Sequence, residues 1–245
     1  MKYYFIRHSL NKKILGHYPQ LKKITHHCAV WEDPCFIDRY NFEKININPI
    51  ISNPILYQNS NLTDLIDVRG EIGFLSKILI SGKLKSILEK KRATGFDFFK
   101  TPVFYQEKII EDYYILNMYE DNNNFVDIKK CRVQYDKKAD DYKFTYNTNT
   151  EYLTFENFDS FNSLLDIATK NNESFFIDKI ILRDRINEDF FLLRYVESGV
   201  KYVVSEKLKQ EIEDAGCTGI EFQPVELSTF EWLHGGEREK IYGKA

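Results

Sequence analysis

The stretch Ile80–Val103, ISGKLKSILEKKRATGFDFFKTPV, is echoed by Val204–Val225, VSEKLKQEIEDAGCTGIEFQPV. Ser81 meets Ser205, Lys83 meets Lys207, Leu84 meets Leu208, Lys85 meets Lys209 and Glu89 meets Glu213. Thr94-Gly95 falls on Thr218-Gly219 and Phe98 on Phe222, and a two-residue offset then brings Pro102-Val103 onto Pro224-Val225. An internal repeat constrains the fold more than any isolated motif, because both copies must build the same supersecondary unit. Neither copy holds a reactive constellation, so the unit reads as a packing device rather than a catalytic motif.

Each copy has the same local grammar. Lys77–Ile80 and Tyr202–Val204 are short apolar strands. Ser81 and Ser205 follow as helix N-caps, whose hydroxyls can accept from a free backbone N–H of the first turn. Leu84, Ile87, Leu88 and Lys91 keep helical spacing, and Leu208, Ile212 and Ala215 form one stripe expected to be buried. Gly216 suits the left-handed residue that closes a helix. Gly95 and Gly219 open the next strands, Phe96-Asp97-Phe98 and Ile220-Glu221-Phe222, and the proline beyond fits a strand end or edge.

Around the repeat the text is rich in strands. Tyr3–Arg7 reads as a first strand. From His17 to Asn61, Pro19, Pro34, Pro49 and Pro54 imply short strands and loops. Glu111–Tyr119 and Phe125–Ile128 suggest a hairpin turned by Asp121-Asn122-Asn123-Asn124, residues that tolerate turn geometry. Cys131–Tyr135 and Tyr142–Tyr146 suggest another, turned by Asp136–Asp140. Asn157 or Asp159 caps a helix through Leu164, Leu165 and Ile167. Ser174–Leu182 and Asp189–Val196 are two more strands with Asn187-Glu188 in the turn between them, and the tail around Trp232 forms one short helix. The expected fold is α+β: mostly antiparallel sheets with a few helices, in two related lobes that each hold a strand–helix–strand unit. The expected lobes are residues 1–150, with the first copy, and 151–245, with the second.

Nineteen Phe and 16 Tyr in 245 residues argue for an ordered core. A net charge of −3 offers no basic surplus for phosphate neutralisation, so nucleic acid is not an expected partner. The opening MKYYFIRHS has too short an apolar run for a signal peptide, and no segment reaches the roughly 20 apolar residues a membrane span needs. A cytoplasmic chain with reduced cysteines is the expectation; Cys28, Cys35, Cys131 and Cys217 show no zinc-type spacing.

The densest reactive cluster is His8, His17, His26, His27, Cys28 and Cys35. Neutral imidazoles and thiolates can ligate zinc, but His26-His27-Cys28 followed by Cys35 matches no structural zinc pattern. A Cys28–His pair would need a third group to orient it. Ser81 and Ser205 sit where a nucleophile elbow would, without its glycines, so capping is the better reading. Gly235-Gly236 is not framed as a phosphate loop. The carboxylate pairs Glu32-Asp33, Glu111-Asp112, Glu120-Asp121, Asp140-Asp141 and Glu188-Asp189 read as solvated turns and strand ends, a few of which could meet a basic partner. No catalytic residue, metal ligand or cofactor is assigned.

The order apolar strand, Ser-x-x-Leu, short helix, Gly-x-x-Phe and Pro-Val, present twice, resembles the C-terminal signature of a large family of immunity proteins from bacterial polymorphic toxin systems. Tyr114-Ile-Leu-Asn117, then Val126-Asp127, and the opening Met1-Lys-Tyr-Tyr-Phe are similar to that family as well. The resemblance covers residues 70 to 130 and 190 to 225. It implies a non-enzymatic antitoxin whose partner is a cognate toxin domain, and it carries over no catalytic residue. By residue type, Trp31, Tyr113, Tyr119 and Trp232 are candidate aromatic anchors, with Glu32, Asp33, Glu120 and Asp121 as candidate charged contacts; for each aromatic, core packing competes with that role. A metal- or thiol-dependent enzyme using the N-terminal His/Cys cluster and a general interaction adaptor are the rival readings.

Overall fold

A computed structural model describes residues 1–138, 148–197, 199–233 and 236–244. In chain order its first elements are β1 (Tyr3–His8), α1 (Lys12–Leu15), β2 (Leu21–Thr25), β3 (Asn53–Leu56), β4 (Leu65–Ile66), β5 (Ile78–Ser81), α2 (Gly82–Leu88), β6 (Phe96–Lys100), β7 (Val103–Tyr105), β8 (Lys108–Ile110) and β9 (Tyr113–Met118). There follow β10 (Arg132–Lys138), β11 (Thr148–Leu153), α3 (Phe158–Lys170), β12 (Ser174–Lys179), β13 (Phe190–Val196), β14 (Gly199–Ser205), α4 (Glu206–Asp214), β15 (Ile220–Pro224), α5 (Thr229–Leu233) and α6 (Glu237–Tyr242). The strands make a seven-stranded sheet, β11-β10-β12-β13-β14-β1-β15, and two four-stranded sheets, β2-β3-β7-β8 and β4-β5-β9-β6. Most ladders are antiparallel; β12–β13 and β3–β7 are parallel. The fold is therefore α+β and mostly antiparallel sheet. The seven-stranded sheet draws strands from both sides of residue 150, since β1 and β10 pair with β14, β15 and β12.

Both serines of the repeat cap their helices. Ser81 Oγ accepts from Leu84 N at 3.2 Å and Ser205 Oγ from Leu208 N at 3.1 Å. Each hydroxyl also donates to a carboxylate, Asp64 Oδ1 at 2.6 Å and Asp189 Oδ1 at 2.5 Å, whose backbone carbonyl in turn accepts the serine N–H. Gly95 and Gly219 adopt φ of +88° and +80°, a region open to glycine at no steric cost.

The strand registers extend the repeat beyond the helix. In one unit β4-β5-β9-β6 are adjacent, and in the other β13-β14-β1-β15. Tyr113 lies opposite Ser81 as Tyr3 lies opposite Ser205. Leu116 lies opposite Phe98 as Ile6 lies opposite Phe222, and Leu65 faces Ile80 as Phe190 faces Val204. The third strand of the second unit is thus the N-terminal strand β1, YYFIRH, which matches β9, YYILNM. The second copy is permuted: its chain leaves after β15, and the strand that belongs between β14 and β15 comes from residues 3–8.

The register also corrects the alignment of the prolines. Tyr114 pairs with Lys100 as Tyr4 pairs with Pro224, so Pro224 matches Lys100 rather than Pro102, with no offset. One face of both units shares a core of Ile80, Leu84, Leu88, Leu116, Val204, Leu208, Ile212 and Ile6. Leu84 and Leu208 are wholly buried there, and truncating either to Ala costs about 2–5 kcal/mol. The opposite face of the second unit packs on α3, β10 and β12, and that of the first on the segment 36–74.

Several sequence expectations are corrected. β9 pairs with β5 and β6, so Asp121–Asn124 turns no hairpin; residues 123–125 and 128–130 form single 3-10 turns, and Val126 bridges Leu182. Ala215 caps α4 and is exposed, since the helix ends at Asp214. β12 and β13 run parallel rather than as a hairpin. The tail forms two short helices, and Arg238 in the second is buried. The expected strand Tyr142–Tyr146 lies outside the described residues. Among the described residues no helix is long and apolar enough to cross a membrane.

Candidate functional site

A cleft of about 710 Å³ opens where the two units meet. Ile6, Arg7 and His8 of β1, Lys201 and Tyr202 of β14, Arg194 and Tyr195 of β13, and Phe42 with the 69–78 segment line it. Cations crowd the wall, and each is backed by a carboxylate that does not itself line the cleft.

Arg7 and Lys201 come from neighbouring strands. Continuing the Phe5–Val203 register by two residues places them opposite one another, an arrangement of like charges that costs stability without a counter-ion. Glu197 supplies it, bonding Arg7 Nη2 at 2.5 Å and Lys201 Nζ at 3.1 Å. Its other oxygen accepts from Thr229 N at 2.5 Å. Glu197 reaches this place because β13 ends in a bulge, with a register shift between Arg194 and Val196 and φ of +60° at Tyr195 and +47° at Glu197. Such bulges re-aim side chains. Burial, then Arg7, push the Lys201 amine down to about 8 despite Glu197.

On the other side, Arg69 grips Asp67 with Nε and Nη2, both at 2.8 Å. Burial would raise Asp67, but Arg69 and His8 outweigh it and hold its carboxyl at about 2. Burial pushes the His8 imidazole down to about 4, so it is neutral at pH 7, with Nε2 donating to Ile66 O at 3.2 Å. The Arg69 loop is pinned from behind by Asp38, which accepts from Gly73 N and Leu75 N, and by Lys77.

Lys77 is the counterpart of Lys201: it immediately precedes Ile78, which pairs with Leu116 as Tyr202 stands by Ile6. Burial brings its amine to about 8 as well. Two of its donors are used internally, on Asn41 Oδ1 at 2.7 Å and Leu75 O at 3.1 Å, and Asp38 sits 3.6 Å away as its counter-ion. By the same registers Asn117 and Met118 stand where the second unit has Arg7 and His8. The third strand of each unit therefore differs at the cleft, where only the second unit's carries a cation, Arg7; Arg69 and Lys77 come from the β4–β5 connection of the first.

The sequence-expected contacts separate. Tyr113 and Trp232 are 4% and 1% exposed, so both are core side chains; Tyr113 donates to Thr63 O at 2.8 Å. Trp31 is 72% exposed, beside exposed Glu32 and half-buried Asp33, whose Oδ1 accepts from Cys35 N. Tyr119 is half-buried and its hydroxyl accepts from Gly95 N at 3.3 Å. Glu120 pairs with Arg92 at 3.2 Å and Asp121 with Arg194 at 3.5 Å, which brings Asp121 to the rim of the cleft.

The His/Cys cluster is dispersed. His8 lines the cleft, His26 bonds Ser52 Oγ at 2.8 Å, His27 donates to Asn53 Oδ1 at 2.6 Å, and His17 donates to Pro19 O at 2.7 Å. Desolvation, then Asp33 and Cys35, raise the Cys28 thiol, which disfavours the thiolate. Among the described residues no three His, Cys, Asp or Glu side chains are grouped to hold a metal.

No motif in the sequence singles out Arg7, Arg69, Arg194, Glu197 or Lys201. The signal present was a single charge inside an otherwise apolar strand, Arg7 in YYFIRH and Lys201 in GVKYVVS. No protein-family model and no curated protein matches the chain.

Proposed function

We propose that this chain is a cytoplasmic, non-enzymatic immunity protein that binds a cognate toxin domain and neutralises it. The observation that carries the reading is the duplicated Ser-capped unit, two copies of which interlock through one core and leave a cation-lined cleft at their seam. Such a frame is pre-organised: side chains at the cleft are held by ion pairs before any partner arrives, so little ordering entropy is lost on binding. Cations near the surface speed capture of an oppositely charged partner.

The test is co-expression with the toxin domain encoded beside this chain. The expected result is a complex that co-purifies and cells that survive induction of the toxin. Cell death together with separate elution of the two proteins would refute the reading.

A further inference from the structure

We propose that the cleft between the two units receives a carboxylate side chain, Asp or Glu, from an acidic segment of the partner protein, and that Arg7, Arg69 and Lys201 hold it. The identity of the partner rests on the reading above; the chemistry of the cleft does not.

The donors are in place and unspent. Arg7 uses Nε on Gln223 and Nη2 on Glu197 and Thr229. Arg69 uses Nε and Nη2 on Asp67. Among the described residues Nη1 of each has no protein acceptor, and Lys201 Nζ has Glu197 alone. The three cations also sense one another: Arg69 depresses both Arg7 and Lys201. That mutual repulsion is what an incoming anion relieves.

Charge decides which anion fits. Arg7, Arg69, Lys201, Arg194 and Lys77 carry five positive charges, and Glu197, Asp67, Asp121 and Asp38 carry four negative ones, which leaves one positive charge because His8 is neutral. A carboxylate of charge −1 closes that balance. A phosphate dianion would overshoot it and would lie beside Glu197 and Asp67. Arginine forks match the two oxygens of a carboxylate, and Leu75 and Val200 line the cleft as apolar wall for the methylene stem, Phe42 and Tyr195 being stacked on Arg194. The duplication supports the assignment, since Lys77, the counterpart of Lys201, is satisfied internally while Lys201 keeps its donors at the cleft.

The test is calorimetric titration of the full chain at low salt with hexa-glutamate and with inorganic pyrophosphate, for wild type, Arg69→Gln, Arg69→Lys and Lys201→Met. Arg69 is half exposed, so its replacement spares the core, and thermal melts verify that each variant is folded. Hexa-glutamate should bind wild type, bind Arg69→Gln and Lys201→Met on the order of tenfold more weakly, and be partly restored by Arg69→Lys. Binding of pyrophosphate without hexa-glutamate, or of neither, overturns the inference. The same variants are then titrated with the toxin domain. A toxin complex unaffected by them overturns the cleft as its seat and leaves the proposed function standing. Hexa-glutamate binding without any toxin complex refutes the proposed function and leaves the cleft chemistry standing.

Discussion

The most exacting test of the fold is the buried pair that ties the C-terminal helix to the permuted unit. Arg238 on α6 meets Glu221 on β15 with two parallel bonds of 2.7 Å, and each side chain is only 2% exposed. Arg238 Nη1 also donates to Gly243 O at 2.9 Å, while Glu221 Oε1 accepts from Ser9 Oγ at 3.1 Å and Leu10 N at 2.9 Å. Arg238→Met removes three hydrogen bonds and leaves a carboxylate enclosed with two neutral donors. Breaking one side of such a pair costs about 3–5 kcal/mol, because the remaining charge stays desolvated. For a chain of this size about 1 kcal/mol moves the melting midpoint by roughly 2–4 °C, so the loss amounts to about 6–20 °C. Glu221→Gln in the Arg238→Met background keeps a carbonyl oxygen for Ser9 and Leu10 and removes the stranded charge. The double variant should therefore recover much of the loss, with a coupling of about 2 kcal/mol or more in a double-mutant cycle by urea unfolding. A loss below about 1 kcal/mol for Arg238→Met, or strictly additive single variants, would refute the reasoning.

Three further outcomes follow from the same geometry. Ser81→Ala and Ser205→Ala should each cost about 1–3 kcal/mol in urea unfolding, since each removes a cap and the donor to Asp64 or Asp189, with Ser205 the dearer because it is wholly buried; losses under about 0.5 kcal/mol at both sites would contradict the capping account. His8 has a folded pKa of about 4 against 6.5 unfolded, so the unfolded chain takes the proton first, and the contribution is complete above about 6.5 and lost as pH falls towards 4. Between pH 7.5 and 4.5 wild type should therefore lose more stability than His8→Met, by up to about 3 kcal/mol, and equal slopes would show that His8 is not buried neutral. Asp97 is the first-unit counterpart of Glu221 but has no matching arginine, and its Oδ2 is buried without a partner. Asp97→Asn should then stay within about 1 kcal/mol of wild type in the same assay, whereas a loss as large as that of Arg238→Met would mean that an unrecognised contact holds it.

Much of the repeat was legible because its determinants are local. A serine before Leu84 or Leu208 can cap only one way, and Gly95, Gly216 and Gly219 sit where a positive φ is required. What was hidden is non-local. Tyr3-Tyr4 and Tyr113-Tyr114 are visibly alike, yet a six-residue apolar strand carries no record of its neighbours. The ladder that inserts β1 between β14 and β15 spans almost the whole chain. The false hairpin at Asp121–Asn124 has the same origin: the turn residues are real, but β5 and β6 claim both edges of β9 first. The cleft was hidden for a related reason, since its cations come from β1, β13, β14 and the 69–78 segment, and only the fold brings them together.

The permutation and the cleft are linked. In the first unit β9 follows its own β6 through the β7–β8 hairpin, and its outer positions hold Asn117 and Met118, which can be packed: Asn117 donates to Glu43 O, and Met118 enters the shared core. In the second unit the equivalent strand is β1, and its end runs into Ser9 and Leu10, both tied to Glu221. Arg7 and His8 thus stand at the point where β1 leaves the sheet and both line the seam, with His8 covered by Ile66 and Asp67. Duplication accounts for the frame, and the exchange at one position of the matching strands, Asn117 against Arg7, accounts for the cation that only the second unit's strand presents. A strand swap that places Asn and Met at positions 7 and 8 should keep the frame, because those residues already occupy the same registers in the first unit, and should abolish the response to hexa-glutamate. Retention of that response would place the anion elsewhere, and loss of folding would show that Arg7 serves the frame through Glu197 rather than the cleft.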